Sequence, residues 1–331
     1  MRQLTARDRV VLAACAAAVL AATATGYILH ARQKAAPATG FTESGTALAA
    51  GPAMQALSNG VLSTVSLRDP AGPRVLTSLN CDRAHAAADT VACLTPVDAL
   101  RGTHLMVLNS KLLPKHDVPL TGFPNRLRVS ATGRMVAWTL FIDGHSYNTA
   151  GFSTQTGILD TRTGSAVQSL EEFAAFVDGQ PHRAADINLW GVTFTDDDNR
   201  FYATMSTGGR RYLVAGDFAA KTLRAIAENV ECPSLSPDGR RIAFKAAVGG
   251  DPANGWRLSV LDLTTMKVTP TAESRSVDDQ PLWTDGDTVA YALQRSDGIN
   301  EIWTARADGT GRPGLLVSGA NSPALLSAGD R

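Results

Sequence analysis

"ECPSLSPDGRRIAFKA", Glu231–Ala246, is the stretch from which the fold can be read. Pro233-Ser234-Leu235 reads as one strand. Ser236-Pro237-Asp238-Gly239 fits a type I turn, because Pro at the second position sets φ and Gly at the fourth accepts the left-handed conformation of a G1 bulge. Arg240 to Ala246 then alternates, with Ile242 and Phe244 on one face and Arg241, Ala243 and Lys245 on the other. Such a hairpin buries a face only if another sheet stacks on it.

Worn copies of the unit run along the chain. "NRLRVSATGRMVAWTLF" (125–141) carries Ala-Thr-Gly in the turn, "NLWGVTFTDDDNRFYATM" (188–205) Asp-Asp-Asp-Asn, and "DQPLWTDGDTVAYAL" (279–293) Thr-Asp-Gly. "NCDRAHAAADTVACL" (80–94) is a fifth copy, and "NSPALLSAGDR" (321–331) is the first strand of a sixth. Starts at 81, 125, 190, 232, 280 and 321 lie 44, 65, 42, 48 and 41 residues apart. All but one match the roughly 40–50 residues of a four-stranded propeller blade. Stretches such as "WRLSVLDLTTMKVTPTA" (256–272) supply two further strands between hairpins. The sixth copy lacks its partners at the C-terminus, while 52–58, 60–67 and 74–79 stand as three spare strands near the N-terminus. One strand from the end and three from the beginning complete a ring without free sheet edges. The expectation is an all-β, six-bladed β-propeller over 52–331, closed by its N- and C-terminal strands.

Ahead of it, residues 10–29, "VVLAACAAAVLAATATGYIL", are 20 residues without a charge, long enough to cross a bilayer as a helix after a short 1–9 segment. An uncleaved transmembrane anchor is the first reading. A cleaved signal sequence is the other, with Ala22-Thr23-Ala24 as its site. Residues 30–51 are small and polar, as in a flexible linker. The propeller is therefore expected outside the cytoplasmic membrane, attached through residues 10–29, or secreted. The 31 basic and 31 acidic side chains balance, which leaves no electrostatic footprint for nucleic acid. Cys81 and Cys93 lie on a folded-back hairpin; they form a disulfide or stay two buried thiols. Neither has metal-ligand spacing with a neighbouring His, so no metal is expected.

The repeat resembles that of the TolB-like six-bladed propellers, whose signature is hydrophobic-x-hydrophobic-Ser-Pro-Asp-Gly-(Lys/Arg)-hydrophobic-Ala-(Phe/Tyr). "SLSPDGRRIAF" (Ser234–Phe244) matches it almost throughout, and "MVAW" (135–138), "RFYA" (200–203) and "TVAY" (288–291) match in diminished form. The likeness covers about 52–331 and extends to the exported or membrane-anchored TolB-like proteins of high-GC Gram-positive bacteria. It implies the fold, and a partner protein in the envelope or among secreted proteins. No α/β domain is seen before the propeller.

Catalytic motifs are lacking. There is no G-x-S-x-G, H-E-x-x-H, Walker A loop or G-x-G-x-x-G, and no cofactor is implied. Asp196-Asp197-Asp198 lacks the Gly and distal Glu of an EF-hand and reads as a solvated turn. The 65-residue spacing carries two insertions, 142–155 and 171–187, which hold the candidate binding residues His145, Tyr147, Phe152, His182 and Arg183. These either form a recognition surface or pack the insertion onto the ring. Arg275, Asp278 and Asp279 at the entry to the fifth hairpin either face the central channel or pair with one another. The leading expectation is a non-catalytic protein-binding or assembly module of the cell envelope. The alternative is an exported hydrolase or lyase in which His145 or His182 converges with Asp278 or Asp279.

Overall fold

The computed structural model describes residues 52–97, 102–143 and 152–326, a strand at Phe41–Glu43, and Arg7, Cys15, Ala16, Ala18, Leu20 and Thr23. The anchor or leader expected over 10–29 therefore lies largely outside the described residues. Among those described, no helix is long and apolar enough to cross a membrane.

The Ser236-Pro237-Asp238-Gly239 turn closes as its composition requires. The Gly239 N–H donates to the Ser236 carbonyl (2.9 Å), the Ser236 N–H donates to that of Arg241 (2.8 Å), and Gly239 has φ +70°. The "ATG" copy repeats this with Gly133 at φ +80°. In the "DDDN" copy Asp198 takes the left-handed position at φ +55°, a role Asp tolerates because its short side chain bonds locally.

Each hairpin opens a four-stranded antiparallel blade whose first strand is innermost. Blade 1 consists of Arg83–Ala87, Thr90–Leu94, Thr103–Asn109 and Pro114–Leu120; blade 2 of Phe123–Val129, Met135–Asp143, Ser153–Asp160 and Ala166–Val167. Blade 3 is Asn188–Phe194, Arg200–Thr207, Arg210–Asp217 and Thr222–Glu228, and blade 4 is Glu231–Leu235, Arg241–Ala247, Trp256–Asp262 and Val268–Pro270. Blade 5 comprises Leu282–Trp283, Thr288–Gln294, Asn300–Arg306 and Gly314–Ser318. Blade 6 is the seam: Ala320–Leu326 lies innermost beside Ala53–Ser58, followed by Val61–Ser66 and Arg74–Asn80. Its register runs Ala53↔Leu326, Gln55↔Ala324 and Ser58↔Ala320, so both chain ends share one sheet. Phe41–Glu43, within the tract read as a linker, adds a parallel strand outside Arg74–Asn80.

The core sits between blades. Separate clusters fill the interfaces of blades 1 and 2 (Leu94, Leu105, Trp138), 2 and 3 (Met135, Ile158, Phe201), 3 and 4 (Leu213, Phe244), 4 and 5 (Leu258, Trp283, Tyr291), 5 and 6 (Met54, Ile302), and 6 and 1 (Leu57, Leu62, Val91). Fully burying each large apolar side chain contributes about 1.5–3 kcal/mol, and the two interfaces of the seam blade are packed like the other four. A blade's middle strands touch neighbours on both faces. Lys245, assigned by alternation to the face opposite Ile242 and Phe244, is consequently wholly buried, as is Ala243.

Cys81 and Cys93 form a disulfide with their Cα atoms 5.5 Å apart. The ladder pairs Cys93 with Ala84, so the bond reaches from beyond the ladder's end and ties blade 1 to the connection from blade 6. The second insertion folds as a short 3-10 turn (Leu170–Glu172) and a hairpin, Ala174–Val177 with Gln180–His182, paired in parallel to blade 3's outer strand. Leu170, Phe173 and Ala175 enter the core between blades 2 and 3, where the two-residue outer strand of blade 2 leaves room.

Candidate functional site

Antiparallel alternation puts the connections between first and second, and third and fourth, strands on one side of the ring, and all others on the opposite side. The first side, the turn face, has connections of seven residues or fewer between the described strands. The second, the loop face, has those spanning 95–102, 144–152, 248–255 and 271–281. The 168–187 connection also belongs to it by topology, although it detours over the edge of blade 3.

At the loop-face end of the ring the inner strands are kinked. Gly191, Cys232 and Ser322 have φ of +67°, +50° and +51°, each where the pairing register slips. Such bulges re-aim neighbouring side chains. A Cβ on Gly191 would stand 2.8 Å from the Cys232 Cα, so only glycine fits where these two strands approach.

Around the bulges lies an ionic cluster. The Asp278 carboxylate accepts from Arg126 Nη2 (3.0 Å) and Lys245 Nζ (2.5 Å). Lys245 also lies 4.0 Å from Glu231 and 3.9 Å above the Trp256 ring. Trp256 Nε1 donates to Glu231 Oε1 (3.0 Å), and Arg211 stands 3.4 Å from the same oxygen. Lys245 and Glu231 are fully buried, whereas the Asp278 side chain is 42% exposed. Burial pushes the Asp278 carboxyl up, but Lys245 and Arg126 outweigh it and hold it below its ordinary value. For Glu231 burial wins over Lys245 and Arg211, and the carboxyl is raised. Arg126 Nε also donates to the Cys232 thiol (3.4 Å), which burial pushes up.

The sequence-derived candidates are placed as follows. His145 and Tyr147 lie outside the described residues. Phe152 packs edge-on against Phe141 and Trp190, with centroids 6.4 and 5.5 Å apart. His182 bonds the Thr207 hydroxyl (3.0 Å), and Arg183 is exposed beside it on a groove of about 640 Å3 lined by Glu171, Phe176 and Pro181. Arg275 does not pair with Asp278 or Asp279. It forks onto Glu273 (2.9 and 2.6 Å) and stacks on Trp303 at 3.9 Å, while Glu273 accepts from Tyr291 as well. Asp279 accepts the Ala292 N–H (2.8 Å) and borders an axial cavity. No described contact joins His182 to Asp278 or Asp279; each is held by other partners.

Of the channel residues, the sequence reading found Asp278 and Asp279 but missed Arg126, Arg128, His85, Glu231 and Lys245. A signal existed for two of them: Arg126 and Arg128 alternate on an innermost strand, where a charge cannot reach open solvent cheaply. The turn aspartates are local caps. Asp197 accepts from Thr195, from the Asn199 and Arg200 N–H groups and from the Arg200 side chain. Among the described residues no group of three or more His, Cys, Asp or Glu is set to hold a metal ion.

No protein-family model matches the chain, and no curated protein does. Solved structures do match. TolB from Acinetobacter baumannii is 15% identical, with a TM-score of 0.59 over 83% of this chain and 66% of that one; the chain thus spans just under two thirds of that protein. The nidogen/laminin complex aligns at 8% identity over 85% of this chain and 100% of that one, TM-score 0.57. A functionally unknown protein from Desulfotomaculum acetoxidans aligns at 12% identity, over 84% and 88%, TM-score 0.50. The likeness is one of fold: the chain is a six-bladed propeller like that of TolB.

Proposed function

We propose that this propeller is a non-catalytic protein-binding module that works outside the cytoplasm and engages its partner with the loop face. The observation that carries the reading is the segregation of connections. The long connections and the ionic cluster share one face, and short capped turns occupy the other. Rigid scaffolds put recognition on such loops. The channel's acidic groups are taken up by structural partners, Asp278 by Arg126 and Lys245, and Asp279 by a backbone N–H, which favours binding over chemistry. Two of the similar folds add support: one is TolB, the other comes from a complex of nidogen with laminin. The Cys81–Cys93 disulfide supports an oxidising compartment, and the apolar 10–29 segment supports attachment to the cytoplasmic membrane or export.

The test is site-specific photocrosslinking of the full chain in its native cells. Probes at exposed Asn254 and Ser274 on the loop face are compared with probes at exposed Arg162 and Thr265 on the turn face. A defined protein captured from the loop face alone is the expected result. Equal capture from both faces, or turnover of a small molecule by the purified protein, overturns the reading.

A further inference from the structure

Two of the long loop-face connections, 248–255 and 271–281, border a cleft of about 550 Å3 on blade 4. Its walls are apolar at Val248, Trp256, Val268 and Pro270 and polar at Arg257 and Ser259. Arg257 and Ser259 stand two apart on the strand Trp256–Asp262 and so project from the same face. Ala246 pairs with Arg257 across the ladder, and its methyl group is too small to fill the space beside the longer side chain. Val248 and Val268 are left 46% and 47% exposed. Ser259 is 2% exposed, and its hydroxyl meets the Arg257 carbonyl at 3.5 Å, beyond the usual range of such bonds.

The charge of the cleft has one sign. Other arginines toward this face hold carboxylates: Arg210 pairs with Glu228 (3.1 Å), Arg275 with Glu273 (2.6 Å) and Arg295 with Asp297 (2.9 Å). Among the described residues the half-buried Arg257 guanidinium has no ion pair or hydrogen bond, and no residue lining the cleft is acidic. With the cleft open, water solvates that cation. Whatever fills the cleft removes the water, and a desolvated cation with no counter-charge is costly. The occupant therefore has to bring a carboxylate, and a basic occupant is repelled. The volume is that of a small-molecule or peptide site, far more than one carboxylate needs.

We infer that this cleft takes an extended, acidic segment of the partner protein, with an Asp or Glu side chain forked onto Arg257 and a neighbouring apolar side chain against Val268 and Pro270. The planar guanidinium suits a carboxylate because it offers two parallel N–H donors. The exposed valines supply the apolar contact beside it. The inference rests on the loop-face reading above and adds to it the chemistry of the partner.

The probe is a library of random peptides displayed on phage and selected on the immobilised full chain. Enriched sequences are expected to share an Asp or Glu next to an apolar residue, and to bind Arg257→Gln about tenfold more weakly. Selection on Arg257→Glu should instead enrich Lys or Arg at that position, a switch that misfolding does not produce. No enrichment, enriched sequences without an acidic position, or binding unchanged in R257Q overturns the inference. In the photocrosslinking experiment, a protein captured at Asn254 and Ser274 in equal yield from the parent and R257E would sink this inference and leave the loop-face reading standing.

Discussion

The two faces of this ring are built from the ends of the same strands, yet they hold together differently. On the turn face most connections are closed by a side chain from the connection itself or the strand beside it. Asp238 accepts the Arg240 N–H, Asp262 those of Thr264 and Thr265, and Asp308 that of Thr310. At the loop-face end the partners come from distant segments: Asp278 with Arg126, Trp256 with Glu231, Gln280 with Val192 and Pro233. Local caps are cheap to form and individually modest. The distant contacts lie among buried charges, where losing one partner strands another.

That contrast can be broken most directly at Lys245. Lys245→Met leaves Glu231 and Asp278 without their shared cation, and a loss of about 3–5 kcal/mol is expected in urea unfolding; a loss below 1 kcal/mol would erase the difference between faces. Next comes the disulfide. Replacing both Cys81 and Cys93 by Ser, residues separated by 12 in sequence, should cost about 2–3 kcal/mol in the same measurement.

On the turn face, Asp160 is a cap held by a charged partner. Arg134 grips both its oxygens (3.0 and 2.7 Å) and, with smaller help from the Arg162 N–H, draws the carboxyl down to about 2. Hydrogen bonds from Ser110 bring Asp89 to about 2 as well. Because these folded pKa values lie below the unfolded value near 3.9, their stabilisation is fully present above about pH 4 and is lost as pH falls toward 2. Asp160→Asn should cost about 1–2 kcal/mol at pH 7, and the gap from the parent should narrow in unfolding at pH 3. A gap that widens in acid would show that the cap does not act through its charge. The smallest effect is expected at Gly239, where a Cβ meets nothing within 4 Å and only the positive φ resists. Gly239→Ala should cost about 1 kcal/mol, read as a shift in urea midpoint.

Legibility in the sequence follows the same division. Ser-Pro-Asp-Gly declared its turn because the bonds that close it lie within six residues, and the repeat spacing then exposed the blades. Alternation set Lys245 on the face opposite Ile242 and Phe244, where it lies, but alternation distinguishes two faces and does not reveal that both are covered. Arg275, read as facing the channel or pairing with Asp278 and Asp279, is positioned instead by the stacking surface of Trp303 and by the Glu273 carboxylate. His85 gave no signal, since its partner Arg128 lies 43 residues away.

From the sequence alone follow the blade count, the Ser236–Gly239 turn and the joining of both chain ends in one sheet. Hydrophobic period and turn chemistry are local, and a sheet with spare strands needs partners. Only the tertiary structure decided which charges meet at the axis and which face carries the long connections. Those outcomes depend on six inner strands converging from positions far apart in the chain, where burial turns each charge into a demand for a particular neighbour.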